Sequence, residues 1–74
     1  MNSQEKRARF KRLGTQRTKR VLKALQVLGH CANRSAYEFT ERDTQTIFTA
    51  IERQLRAVKG RFQGSEAEQL DFKL

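Results

Sequence analysis

The sequence predicts an all-α protein: a two-helix antiparallel hairpin, with a basic, partly disordered N-terminal segment or short helix before it and a flexible acidic C-terminal tail after it. Three observations lead there. The 74 residues contain no proline, the residue that most readily breaks a helix. Apolar residues recur at three- and four-residue steps in two stretches, close to the period of an α-helix. The four glycines, Gly14, Gly29, Gly60 and Gly64, fall near the places where that period starts or stops.

Taken in order, the N-terminal third is the least regular. Phe10 shares a helical face with Val21 and Leu28, but Arg7 and Lys11 project onto the same face, which suits a core helix poorly. Residues 1–12 are expected to fray, or to form a short helix that becomes ordered on a partner. From Thr15 onward Val21, Leu22, Leu25 and Leu28 form an apolar stripe with Lys19, Arg20 and Lys23 on the opposite side. Gly29 then suits a left-handed helix end.

Residues 30–39 form a ten-residue connection in which Tyr37 and Phe39 stand two apart. That spacing predicts an extended segment with both rings on one side, placed to cap the open end of the hairpin. The second helix has the clearest pattern. Ile47, Ile51, Leu55, Val58 and Phe62 follow steps of four, four, three and four, with Phe48 beside them, and all six project within an arc of about 100°. As core residues, Ile51 or Leu55 would each cost about 2 to 5 kcal/mol on replacement by alanine. Thr40 with Asp43 reads as a capping box, which places the start near Glu41 and the end near Gly64. In the tail, Glu66, Glu68 and Asp71 face Lys73, while Leu70, Phe72 and Leu74 alternate, a pattern open to a disordered end, a short strand or an acidic flap over the basic helix. The domain reading is thus a basic flexible segment over residues 1–12, a helical hairpin domain over 13–64 and a flexible tail over 65–74.

Charge divides the chain more sharply than hydropathy. The formal net charge is +8, and residues 1–23 alone hold nine cations (Lys6, Arg7, Arg9, Lys11, Arg12, Arg17, Lys19, Arg20 and Lys23) against the single acid Glu5. Residues 24–74 carry seven basic and seven acidic side chains. A uniformly solubilised surface would not show that asymmetry, and the nine cations are the candidate partner-binding residues. No apolar run exceeds three residues, so neither a membrane span nor a secretory signal is expected. Cys31 is the single cysteine, which leaves no internal disulfide and points to the cytoplasm.

The chain offers little for catalysis. One histidine, His30, adjoins Cys31, and two ligands fall short of the three or four that a zinc site requires. No Ser-His-acid or paired-carboxylate spacing is present, and no glycine-rich phosphate loop. The protein is read as a non-enzyme without cofactor or metal. Helix-turn-helix recognition is disfavoured, because its turn joins two helices by three or four residues.

From Phe10 to Phe62 the chain resembles a group of small proteins encoded by phages and mobile elements. The resemblance covers about 53 of 74 residues. It rests on Leu28-Gly29, on Asn33-Arg34-Ser35 with Tyr37, on Phe39-Thr40, and on Lys59 with Phe62 closing the last helix. His30, Cys31 and Ala32 depart from the pattern. A looser resemblance, without a matching motif, is to phage-encoded regulators that bind the host RNA polymerase and inhibit initiation or promote antitermination. What the resemblance implies is a transcription regulator in the host cytoplasm that docks its basic N-terminal surface on RNA polymerase. The alternative is a DNA- or RNA-binding protein that uses the same cations without sequence preference, and a homodimer fits either reading.

Overall fold

The computed structural model of the protein describes residues 2–64 and 73–74. The chain divides into two units, Met1–Tyr37 and Glu38–Leu74, each built on one long helix. Helix α1 spans Ser3–Gly29 and runs into a 3-10 turn, His30–Ala32; helix α2 spans Glu41–Phe62. Among the described residues there is no strand. The expectations for residues 65–72 lie outside the described residues.

In the first unit, Asn2 is extended and its Oδ1 accepts a hydrogen bond from the Glu5 N–H at 2.8 Å, which satisfies one of the free donors at the helix start. Glu5 also meets the positive end of the helix dipole. The break expected near residue 12 is absent: residues 3–12 are the first turns of one 27-residue helix, about 40 Å long. The amphipathic pattern tests how a helix packs, whereas its formation here depends on a cap and a run of Lys, Arg, Gln, Ala and Leu, all good helix formers. Gly14 is accommodated within this run, and a Cβ placed there would meet the Phe10 ring at 3.9 Å, an ordinary contact.

Two further expectations are corrected. Gly29 is right-handed (φ −60°, ψ −23°), and the chain turns out of the helix only at Asn33 (φ −74°, ψ 99°). The connection is not extended over its length. The Asn33 carbonyl accepts from the N–H groups of Ala36 and Tyr37 at 3.1 and 3.0 Å, and Asn33 Oδ1 accepts from the Ser35 N–H at 3.0 Å. This local turn outcompetes an extended path, as Asn readily allows. Tyr37 is exposed and Phe39 half-buried, so the two rings occupy different environments.

Helix α2 begins where the spacing of Thr40 and Asp43 predicts. Thr40 Oγ1 accepts from the Asp43 N–H at 3.1 Å, and Asp43 Oδ2 accepts from the Thr40 N–H at 2.9 Å. Glu41 and Asp43 lie in the first turn and Lys59 and Arg61 in the last, each sign against the matching end of the dipole. Gly64, with φ of 100°, supplies the left-handed residue after the helix.

The six apolar residues of α2 do not form a core. Among the described residues no side chain is buried. Phe48 is 48% exposed, Leu55 53% and Phe62 75%, while Ile47 and Ile51 are half-buried. On α1, Val21, Leu22 and Leu25 are likewise exposed. A single helix can gather its apolar residues on one side but cannot bury them without a second layer. Thr40→Ala is expected to lower stability by about 1 kcal/mol and Gly14→Ala to raise it by about 1 kcal/mol, both read from thermal melting followed by circular dichroism. An unchanged midpoint for Thr40→Ala would contradict the capping role.

Candidate polyanion-binding surface

All nine predicted cations lie on α1, and all nine side chains are exposed. The structure therefore brings the whole candidate set onto one element. Arg9, Arg12, Lys19, Arg20 and Lys23 project within an arc of about 100°, which makes a stripe along the helix. From Lys6 to Lys23 the cations extend about 25 Å along the axis. Lys6 and Arg17 border the apolar side of α1 next to Phe10 and Leu28, whereas Arg7 and Lys11 project within it, in line with Leu25 and Leu22. Phe10, Val21 and Leu28 lie away from the stripe.

Phe10 is 52% exposed, and the Arg7 guanidinium carbon lies 5.9 Å from the centre of its ring. At an exposed position that contact is worth about 0.5 to 1 kcal/mol, and it steadies Arg7 beside the helix. Arg7, Phe10, Lys11, Gly14, Thr18 and Lys19 line a shallow groove, in which the missing side chain of Gly14 leaves the backbone accessible. Lys23 Nζ donates to Gln26 Oε1 at 3.4 Å, a long bond that leaves the ammonium free to contact other groups.

Charge compensation within the unit is minimal. Residues 1–37 contain ten basic side chains, the nine cations and Arg34, and one acid, Glu5. Unit 1 therefore carries about +9. Like charges along α1 repel one another, and an anion bound beside them relieves that repulsion.

Arg34, exposed in the Asn33 turn, adds a tenth cation to the first unit outside the 1–23 cluster. Thr15 and Thr18 are exposed in the groove beside Lys11 and Lys19, and their hydroxyls, silent in a charge pattern, can donate to phosphate. His30 and Cys31 lie together in the 3-10 turn, both exposed. Among the described residues no three His, Cys, Asp or Glu side chains cluster to hold a metal ion, and no helix is long and apolar enough to cross a membrane.

No protein family, no curated protein and no solved structure matches this chain.

Proposed function

We propose that this protein is a regulator of gene expression that binds duplex nucleic acid through the cationic side of α1, contacting phosphates without strong sequence preference. The observation that carries this reading is the arrangement of the nine exposed cations on a single uninterrupted helix. They lie on most of its circumference and not on one face alone. A helix set into the major groove, about 12 Å wide in B-DNA, has phosphates on both sides and can use cations around most of its surface. An acidic protein face touches one side only. The uncharged hydroxyls of Thr15 and Thr18 and the exposed helix flank fit phosphate contacts as well.

Docking on an acidic face of a host RNA polymerase, which the resemblance suggests for a phage-type inhibitor of initiation or antiterminator, uses the same residues. We place the helices in an antiparallel hairpin joined by residues 30–40. The working compartment is the cytoplasm, where these targets reside.

The two partners separate in one set of measurements. Direct binding predicts a mobility shift on a short duplex of arbitrary sequence at low salt. With about five phosphates engaged, affinity should fall roughly 500-fold between 50 and 200 mM salt. Arg9, Arg12, Lys19 and Arg20 changed together to Glu should abolish the shift and leave helical circular dichroism in place. Retention of RNA polymerase by the immobilised protein without any shift at low salt would refute the nucleic-acid reading in favour of the polymerase.

A further inference from the structure

The apolar side of α2 is largely uncovered among the described residues. Phe48, Leu55, Val58 and Phe62 are 36% to 75% exposed. With about 150 to 250 Å² per large aromatic side chain, α2 presents on the order of 500 Å² of apolar surface. Contiguous patches of that size usually mark an interaction site. Two such faces brought together remove on the order of 1,000 Å², the area from which specific interfaces begin.

The width of the apolar side matters as much as its area. A helix facing one neighbour needs a stripe of about 100°. On α2 the small residues Ala50 and Ala57, both half-buried, extend the stripe beyond Ile47 until it covers about 180°. That width suits a helix with two neighbours, as in a four-helix bundle.

Charge identifies the second neighbour. Residues 38–74 carry seven acids and six bases, a balance near zero, so two copies of this unit meet without repulsion. Two copies of α1 would not. At the edge of the stripe, near the middle of α2, Gln54 Oε1 is shielded from solvent and has no hydrogen-bond partner among the described residues. An unmade bond at a shielded amide costs stability, and across a two-fold axis each Gln54 amide can meet its own copy. Polar residues at such seams fix register and copy number.

We propose that α2 docks on α2 of a second copy of this chain, so that the working unit is a two-fold dimer carrying two cationic α1 helices. The dimer uses none of the α1 cations, so it stands independently of the nucleic-acid reading. Sedimentation equilibrium of the full chain without nucleic acid tests it. The expected mass is twice the 8.7 kDa of one chain, with a melting midpoint that rises with protein concentration. Leu55→Glu should weaken the dimer by at least about tenfold. A monomer whose melting is independent of concentration would mean that the chain covers its own α2, and would overturn the proposal; so would assembly that continues past two copies. Because Leu55→Glu can fail to fold, a second pair of variants is read by disulfide formation in a Cys31→Ser background. Gln54→Cys should cross-link under mild oxidation much faster than Gln45→Cys on the opposite side of α2, and equal rates would contradict the seam.

Discussion

Everything in this molecule follows from one constraint: each helix has an apolar side that it cannot bury alone. Capping fixes where the helices begin, with Asn2 on the Glu5 N–H and Thr40 and Asp43 on each other. Caps of this kind are worth about 1 kcal/mol each, which is enough to define ends but not to hold a 74-residue chain in one state. Stability has to come from covering Val21, Leu22 and Leu25 on one helix and the Ile47-to-Phe62 stripe on the other. Either the other helix of the same chain or a second copy can supply that cover.

Charge decides where that association can occur. The first unit holds ten basic side chains against one acid and the second is nearly balanced, so the chain is electrostatically two proteins. The balanced unit can approach its own copy. The cationic unit attracts anions and repels its own copy. A continuous α1 gives this division a geometric form, since its cations sit at fixed heights on a rod about 40 Å long and not on a frayed tail. Rigid presentation lowers the entropy cost of aligning several cations with a regular array of phosphates.

Local features were legible in the sequence and collective ones were not. The start of α2 could be read because a capping box depends on two residues three apart, Thr40 and Asp43. The extent of the connection was legible too, as α1 ends at Gly29 and α2 starts at Glu41. Gly29 misled because glycine permits a left-handed turn without requiring one; the local bonds of Asn33 end the segment instead. The N-terminal helix was underestimated because Arg7 and Lys11 spoil an apolar stripe without spoiling the backbone hydrogen bonds beneath it. The apolar residues of α2 were placed on the correct face, but that they would be uncovered was not legible, because burial belongs to the assembled layers and not to the helix. The nine cations were legible as a list, while their distribution around one helix, with Thr15 and Thr18 among them, required the continuous α1.

On the proposed reading the cations of α1 and the apolar stripe of α2 are separate surfaces with separate partners, which titration of isotopically labelled protein with a short DNA duplex at low salt, followed amide by amide by nuclear magnetic resonance, can check. Shifts should concentrate at residues 6–23 and at Arg34, while the amides of Ile47 to Phe62 keep their positions. Shifts centred on α2, or none at any residue, would contradict it.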